Sequence, residues 1–366
     1  MAGLYIHVPF CAGKCPYCDF YSRPAAPGGM ESYIRQARAQ MKSWAGAPFD
    51  TVYFGGGTPN LLGVPGLSVL LDGARSTFSI AAGAEITVEA NPTGVSQAFF
   101  EGLRQAGFNR LSMGMQSADP GELHLLGRRH TPEEAAQAVK QAQAAGFSNI
   151  SLDIMLGLPG RGREKLGKSI QFAAGLGVGH ISAYILKIEP GTPFAEAGIC
   201  LPEDDEVAEQ YLFCVQELGR LGYRQYEISN FARPGMESRH NLTYWHGEEY
   251  LGIGPGAHSF WGGRRFYYPR DLDGFLQGQA PIEDGPGGGP EEFAMLRLRL
   301  NQGLVKADCI ERFGEKGGAW FEKLRQNAGR CPAGLVKIGE ESVSFTPEGF
   351  LVSNALILRL LEGAVI

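Results

Sequence analysis

The sequence predicts an α/β protein built around a partial, TIM-like (β/α)6 barrel. Three observations predict it. Strand-like and helix-like segments alternate over about the first 220 residues, six such pairs can be distinguished, and the conspicuous polar or thiol side chains follow strands. Such alternation is typical of a parallel sheet covered by helices. Six units are fewer than the eight that close a full barrel, so an open doubly wound sheet is the alternative.

The predicted strands are short runs rich in β-branched and aromatic residues. In chain order they are GLYIHVPF, DTVYFGGGTP, AEITVEANP, NRLSMGMQS, NISLDIMLGLP and HISAYILKIEP. The predicted helices have apolar residues at helical spacing. They cover residues 32–44, 64–78, 95–106, 131–145, 164–174 and 204–221. Thr131 and Glu134 have the spacing of a capping box, which predicts the start of the fourth helix.

Three domains are expected along the chain. Residues 1–222 should form the barrel, residues 223–283 an extension of it, and residues 284–366 a C-terminal accessory domain. The segment 284–292 is rich in glycine and is predicted to be a linker. Three helical stretches, a hairpin and a last helix at 351–361 predict that the accessory domain is mainly helical and resembles a winged helix.

The composition argues against several functional classes. The chain has 366 residues, a net charge of −6 and no block of Lys or Arg, so nucleic acid is not an expected partner. The uncharged stretch 169–186 contains several glycines and His180, so it is interpreted as a helix end and a strand, and no membrane span is expected. The chain has seven cysteines, an odd number, and four of them have no regular spacing, namely Cys200, Cys214, Cys309 and Cys331. Together with an opening too short for a signal peptide, this indicates a reducing cytoplasm.

Three cysteines, Cys11, Cys15 and Cys18, lie within eight residues after the first strand. A structural zinc ion takes four ligands, and the nearest further candidate is His7, on the strand. A [4Fe–4S] cluster that only carries electrons also uses four thiolates. Three thiolates leave one iron open, and S-adenosylmethionine can bind it through its amino and carboxylate groups. The pattern therefore favours a cluster with this cofactor, and zinc is the alternative.

Other residues suited to such a cofactor follow the predicted strands. The run GGGTP lets the backbone approach a ligand closely. Glu89, Gln116, Arg128 and Asp153 could bind the ribose hydroxyls and the carboxylate of the cofactor. Each could equally be a helix cap or part of a surface ion pair. Their common position near strand ends, where parallel α/β folds bind ligands, favours the functional interpretation.

Six segments resemble the radical S-adenosylmethionine family of oxygen-independent coproporphyrinogen III dehydrogenases. They are YIHVPFCAGKCPYC, YFGGGTPN, VEANP, SMGMQS, LDIMLGLPG and IEPGTPF, and the similarity extends through nearly the whole chain. The resemblance implies that Cys11, Cys15 and Cys18 hold the cluster. The cofactor contacts that it implies are Tyr5, Tyr17, Gly56, Gly57, Thr58, Glu89, Gln116, Arg128 and Asp153.

Two features separate this chain from those dehydrogenases and are typical of a subgroup that resembles heme chaperones. Phe20 stands where the dehydrogenases carry a further cysteine, and the chain starts almost at the first strand, without their long N-terminal extension. The subgroup has the signature HNxxYW, which occurs here as HNLTYW. The residues that match it are His240, Asn241, Tyr244 and Trp245.

The motif has groups suited to heme. Imidazole is a common axial ligand of heme iron, and Tyr244 and Trp245 offer flat faces to a porphyrin. His246 and His258 are alternative ligands, and a satisfied core histidine is the structural alternative for His240. The arginines that could pair with the propionates are Arg239, Arg264 and Arg265.

The resemblance implies a chaperone that binds heme and transfers it to apo-hemoproteins. It has the fold and cofactors of a radical enzyme and is expected to lack coproporphyrinogen dehydrogenase activity. The alternatives are the dehydrogenase itself, which decarboxylates propionates oxidatively, and a radical enzyme with another substrate. The family resemblance also implies a cofactor-dependent homodimer in the cytoplasm, with peripheral association at a membrane as an open alternative.

Overall fold

The first part of the chain alternates between strands and helices. The structure is a computed structural model that describes residues 2–366. The strands of this part are β1 (Ala2–Val8), β2 (Pro48–Gly56), β3 (Ser79–Ala90), β4 (Arg110–Gln116), β5 (Asn149–Leu156) and β6 (His180–Ile185). The helices are α1 (Gly29–Met41), α2 (Gly63–Thr77), α3 (Gln97–Ala106), α4 (Pro120–Leu125), α5 (Pro132–Ala144), α6 (Arg163–Gly175), α7 (Pro193–Glu196) and α8 (Asp204–Arg220). Two 3₁₀ turns occupy Lys42–Trp44 and Pro59–Leu62.

The six strands β1 to β6 lie side by side in chain order, and each pairs in parallel with the next. This order confirms the predicted α/β class. The predicted capping box is also present. The Thr131 hydroxyl accepts from the backbone N–H of Glu134, and the Glu134 carboxylate accepts from the backbone N–H of Thr131. Such caps stabilise a helix start by roughly 0.5–2 kcal/mol.

The next part of the chain extends the same sheet at both edges. Its elements are β7 (Arg224–Gln225), β8 (Asn230–Ala232), α9 (Arg239–Trp245), β9 (Glu249–Ile253), β10 (His258–Trp261), β11 (Arg264–Tyr267), α10 (Leu272–Leu276) and β12 (Ile282–Pro286). The twelve strands have the order β12-β11-β10-β9-β1-β2-β3-β4-β5-β6-β8-β7. Strand β9 pairs in parallel with β1, so seven strands are parallel. The described strands form an open sheet that ends at β12 and β7.

The predicted linker 284–292 is only partly irregular. Its first residues belong to β12, where Gly285 and Pro286 pair with β11. A glycine-rich composition predicts flexibility, but the backbone groups of this segment find a partner strand, and that pairing decides its structure. The predicted domain boundaries at 222 and 283 stay predictions.

The C-terminal part has its own small sheet. Its elements are α11 (Pro290–Arg297), β13 (Leu304–Val305), α12 (Lys306–Phe313), α13 (Glu315–Ala328), β14 (Val336–Ile338), β15 (Ser342–Phe345), α14 (Pro347–Leu351) and α15 (Ser353–Leu361). The antiparallel order is β13-β15-β14. Helices come before a hairpin, as the winged-helix-like prediction requires. The Asn327 side-chain amide donates to the carbonyls of Leu360 and Glu362 and so ties α13 to the end of α15.

Alternation along the strands places the core. Successive side chains of a strand point to opposite faces, and one face of the parallel sheet is apolar. The buried residues of that face include Leu4, Ile6, Val52, Phe54, Val88, Leu111, Met113, Leu152 and Ile181. Full burial of one such side chain contributes about 1.5–3 kcal/mol, so this layer fixes the strand register. Among residues 2–366, no helix combines the length and the apolar character needed to cross a bilayer.

Candidate functional site

The concave face of the parallel sheet is polar. In register, Tyr5 pairs with Tyr53, and Glu89 pairs with Ser112. Further along the sheet, Asp153 pairs with Ser182. The apolar residues beside them on each strand point to the opposite face. The barrel therefore encloses hydrogen-bonding groups, and the carboxyl ends of its strands open at one end, which is called the mouth below.

The cysteine loop, residues 9–23, follows β1 directly at the mouth. A backbone bond of 3.1 Å from Cys11 N to Arg23 O closes its base. All three of its thiols are partly exposed. The Thr58 hydroxyl donates to Cys11 Sγ at 3.5 Å, and Arg128 Nη1 donates to Cys15 Sγ at 3.8 Å. A hydroxyl and a guanidinium thus reach the thiols from neighbouring loops, and such neighbours stabilise thiolates.

The described side chains do not form a compact site for one ion, and the cysteine loop lies beside a cavity. Within residues 2–366, no three His, Cys, Asp or Glu side chains are grouped closely enough to hold one metal ion. The loop borders a cavity of about 220 Å³, whose wall also includes Thr58, Asn91 and Arg128.

The glycine turn, residues 55–57, allows close contacts between the strand ends. A Cβ at Gly57 would lie 2.4 Å from the carbonyl oxygen of Phe10, and a Cβ at Gly56 would lie 2.7 Å from the His7 ring. Gly56 also has a φ of +111°, which favours glycine. Thr58 N donates to Phe10 O at 2.7 Å. The turn is therefore pressed against the cysteine loop, where the cofactor prediction placed it.

Two half-buried carboxyls lie on the polar face of the sheet, Glu89 beside this turn and Asp153 two strands further along. Glu89 accepts from the Tyr53 hydroxyl at 2.7 Å and from Gly56 N at 3.2 Å. Burial raises the pKa of Glu89 to about 7, although the bond from Tyr53 opposes the rise. Burial likewise raises the pKa of Asp153 to about 6, opposed by its bond with Ser182. Both groups change charge near neutral pH, which is typical of functional sites.

Gln116 and Arg128 have side-chain atoms without protein partners. Gln116 has a φ of +68°, unusual for a residue with a side chain, and its buried Oε1 lacks a hydrogen bond within residues 2–366. Arg128 donates to Gly114 O at 2.7 Å and to Asn91 Oδ1 at 2.9 Å, but its buried Nε lacks a partner in the same range. Strain and unsatisfied polar atoms concentrate where ligands bind, so these two residues fit the predicted cofactor.

The two predicted tyrosines occupy different places. The Tyr5 hydroxyl hydrogen-bonds with His7 Nδ1 at 3.0 Å in the barrel interior, and burial raises the pKa of Tyr5 well above its usual value. Tyr17 lies in the cysteine loop, with its ring 6.2 Å from that of Phe194, and burial raises the pKa of Tyr17. Only Tyr17 therefore stands beside the thiols, while Tyr5 belongs to the layer below them.

His240 lies at the other end of the barrel interior, far from the thiols along the strands. Its Nδ1 is 2.8 Å from Thr51 Oγ1 and its Nε2 is 2.7 Å from the Tyr244 hydroxyl. The ring stacks on Tyr53 at 5.0 Å, and its backbone N donates to Glu85. Only 1% of the residue is exposed, and this burial lowers the pKa of His240 to about 3. His240 is a neutral histidine with both ring nitrogens hydrogen-bonded inside the protein.

The whole motif lies in helix α9, which is called the plug below. Asn241, Tyr244 and Trp245 are half-buried, and the Tyr244 ring packs edge-on against Tyr250 at 4.6 Å. The Ser238 side chain caps the helix by accepting from Asn241 N. Helix α9 contacts β1, β2 and β9, so it closes the barrel end that lies away from the mouth.

The arginines and histidines considered for heme are dispersed. Arg239 donates to Gly83 O, near the plug. Arg264 pairs with Glu283, and Arg265 pairs with Glu292. The two alternative histidines differ in exposure, because His246 is half-buried just after α9 and His258 is exposed at the start of β10. The structure thus brings most of the predicted cluster and cofactor residues to the mouth. Tyr5 is the exception, because its ring lies 6.5 Å from that of His240 in the HNxxYW motif.

Comparisons with known proteins place the chain in a family. The Radical SAM superfamily model matches residues 5–173. A relative from Mycobacterium tuberculosis described as heme chaperone HemW is 38% identical, over 98% of this chain and 94% of its own length. The Escherichia coli protein described in the same words is 39% identical, over 85% of this chain and 86% of its own length.

This chain belongs to the HemW family. The resemblance drawn from its motifs is thereby confirmed. A solved structure, that of coproporphyrinogen III oxidase (HemN) from Escherichia coli, superposes with a TM-score of 0.84, over 98% of this chain and 89% of that chain. At 22% sequence identity this likeness shows a shared fold. The HemW-family chain and that enzyme thus have the same barrel scaffold.

Sequence reasoning missed three residues of this HemW-family site. Tyr53 and Asn91 hold Glu89 and Arg128 in place. Arg110 is buried on β4, with Thr87 and Asn149 beside it in register, and one polar atom of each of these three lacks a partner among the described residues. The missed signal was the alternation itself, since every second residue of these strands is polar.

Proposed function

We propose that this protein is a heme chaperone that holds a [4Fe–4S] cluster and S-adenosylmethionine at the barrel mouth, binds heme and transfers it to apo-hemoproteins. The observation that supports it is the similarity, over nearly the whole chain, to proteins described as heme chaperone HemW. The mouth geometry agrees with the cofactor part of the proposal, because unsatisfied polar atoms and the cysteine loop meet there.

Each group of mouth residues has a distinct role in this proposal. Cys11, Cys15 and Cys18 hold three irons of the cluster and leave the fourth for the cofactor's amino and carboxylate groups. When bound, the cluster supplies electrons for one-electron chemistry at the cofactor sulfonium. The amino-acid end of the cofactor lies along the backbone of Gly56 and Gly57, because this turn is held against the cysteine loop.

The remaining groups bind and orient the cofactor. Arg128 pairs with its carboxylate, because the guanidinium already reaches Cys15 and still has one free N–H. Glu89 and Asp153 accept hydrogen bonds from the ribose hydroxyls when ionised. Gln116 contributes its unpartnered side-chain oxygen as a further acceptor. Tyr17 covers the cluster side of the site from within the cysteine loop.

Anaerobic reconstitution with iron and sulfide tests the cofactor part of the proposal. We expect an electron paramagnetic resonance signal of a reduced [4Fe–4S] cluster that changes when S-adenosylmethionine is added. The same sample, titrated with hemin, should then develop a Soret band that saturates. Zinc in place of iron, or a cluster signal indifferent to S-adenosylmethionine, would contradict this assignment.

Incubation with coproporphyrinogen III separates the chaperone from the dehydrogenase. The chaperone should release no protoporphyrinogen at enzymatic rates, and it should pass bound heme to an apo-hemoprotein. Rapid protoporphyrinogen formation would instead establish the dehydrogenase. We also propose a cytoplasmic location and a cofactor-dependent homodimer, which light scattering with and without S-adenosylmethionine would detect. Delivery to membrane-bound acceptors would require peripheral contact with the membrane, which co-sedimentation with vesicles would reveal.

A further inference from the structure

The seven histidines of the chain differ in whether their ring nitrogens are available. Axial coordination of heme iron needs an accessible nitrogen lone pair. Four histidines are buried and hydrogen-bonded inside the protein. They are His7, His130, His180 and His240. For His7, His180 and His240 both nitrogens are engaged, and heme could reach these three only after the barrel interior opened. His130 lies in the wall of the mouth cavity, where its Nε2 bonds with Met115 O and only 4% of the residue is exposed.

Three histidines remain, namely His124, His246 and His258. His124 is exposed on the short helix α4, with no aromatic ring packed against it within residues 2–366. His246 is half-buried at the end of the plug, where burial and the nearby Arg297 lower its pKa. His258 is exposed and has a stacked aromatic neighbour. The three positions therefore differ in what a large flat ligand would meet.

A neighbouring aromatic ring orients the His258 side chain and leaves its ring nitrogens available. It stacks on Tyr267 with 5.2 Å between ring centroids and 23° between planes, and the two residues pair directly across β10 and β11. Among the described residues, neither ring nitrogen of His258 has a hydrogen-bond partner. Partial burial lowers the pKa of His258, so the ring is neutral at pH 7 and keeps a lone pair for iron.

Strand topology places His258 at the mouth. Strand β9 runs parallel to β1, so both end at the mouth, and β10 runs back antiparallel from there. His258 is the first residue of β10 and so lies near the end of β1, from which the cysteine loop leaves. Gly256 confirms this proximity, since a Cβ there would lie 3.3 Å from the Tyr21 Cβ.

The neighbouring surface has the apolar and cationic groups that a porphyrin needs. Phe20 of the cysteine loop is 68% exposed, which is unusual for a phenylalanine. Arg270 pairs with Asp19 of the same loop at 3.1 Å, and both side chains are largely exposed. Exposed ion pairs of this kind contribute little, so a propionate can replace Asp19 at the guanidinium at small cost.

We propose that His258, not His240 of the HNxxYW motif, is the axial ligand to heme iron. The porphyrin then lies on the mouth surface, with Tyr267 orienting the imidazole, Phe20 beside the macrocycle and Arg270 on a propionate. This assignment rests on the proposed heme-chaperone function. It deepens that function by placing heme at the same end of the barrel as the cluster.

Hemin titration of the reconstituted protein tests the assignment. For His258→Ala we expect the affinity for hemin to fall by roughly tenfold or more, since removal of even a supporting group of a metal site costs about 10–100-fold. Added imidazole should restore the low-spin ferric spectrum of this variant, because the free ligand replaces the missing side chain. His246→Ala is the matched control and should bind hemin like the wild type.

The possible outcomes separate the assignment from the function beneath it. If the wild type binds no hemin at all, the heme-chaperone function fails and the ligand assignment falls with it. If the wild type binds hemin and His258→Ala binds equally well, only the assignment is overturned. Loss of hemin in His246→Ala with no loss in His258→Ala would also overturn it. Iron and sulfide contents, measured in every sample, show that each variant retains the fold at the mouth.

Discussion

The functional groups at the mouth and the His240 ring at the plug differ in whether their polar atoms have hydrogen-bond partners. At the mouth, Gln116 Oε1 and Arg128 Nε are buried without partners among the described residues, and the thiols of the cysteine loop are partly exposed. At the plug, both nitrogens of His240 are bonded within 2.8 Å, to Thr51 and Tyr244. The two regions share the concave face of one sheet, yet the His240 ring has no hydrogen-bonding capacity left for a ligand.

This difference separates binding residues from structural ones. A buried polar atom without a partner costs roughly 1–3 kcal/mol, and at the mouth a bound ligand can supply the missing bond. A satisfied buried network stabilises the fold and gains nothing from a ligand. A motif rich in His and aromatic residues can therefore belong to either class, and only the partners of its atoms decide between them.

The largest effect is expected from a change at the mouth. Cys15→Ala should lose the cluster almost completely, because two thiolates rarely retain a cube. Iron and sulfide analysis after anaerobic reconstitution measures this loss. Cys200→Ala, which removes an exposed thiol outside the loop, is the control and should keep the cluster. Iron and sulfide at the wild-type ratio in Cys15→Ala would remove this cysteine from the ligand set.

A smaller effect is expected from a change at the plug. His240→Ala leaves the buried Thr51 and Tyr244 hydroxyls without their partner, so the free energy of unfolding of the apo-protein should fall by about 2–4 kcal/mol. Urea unfolding measures this change. The exposed His258→Ala should stay within about 0.5 kcal/mol of the wild type. Equal unfolding free energies for wild type and His240→Ala would show that the plug does not stabilise the barrel.

The smallest effect is a pH dependence at the mouth. Because burial raises the pKa of Glu89 to about 7, this carboxyl is mostly protonated at pH 6 and mostly ionised at pH 8. A carboxylate accepts ribose hydrogen bonds better than a carboxylic acid, so the affinity for S-adenosylmethionine should fall by at most roughly tenfold from pH 8 to pH 6. Equilibrium dialysis measures it, and Glu89→Gln should bind more weakly but with a flatter profile. A profile equally steep in Glu89→Gln would assign the dependence to another group, such as Asp153.

Local signals in the sequence predicted the elements well. The capping box at Thr131 and Glu134 involves neighbours three residues apart, and it set the start of α5 correctly. The strand ends predicted that the cysteine loop, the glycine turn, Glu89, Gln116 and Asp153 share one mouth. That reasoning needed only the rule that parallel strands end together.

Contacts between distant segments were beyond such signals. The bond between Thr51 and His240 joins residues 189 positions apart, so nothing near His240 announces that the ring is buried. The pairing of β9 with β1 also joins distant segments, so local sequence could not predict it. The same holds for the strand that part of the glycine-rich segment 284–292 forms with β11. The left-handed backbone conformation of Gln116 could not be predicted either, because residues other than glycine rarely adopt a positive φ.

The place of β1 between β2 and β9 has a consequence for biosynthesis. Strand β1 leads into the cysteine loop, and it cannot pair with β9 until residues 249–253 have left the ribosome. Pairings between such remote segments form slowly, and a nascent chain exposes an unpaired edge until then. The frame around the cysteine loop is therefore complete only after β9 has been synthesised, and a polypeptide terminated before residue 249 would lack one of the two neighbours of β1.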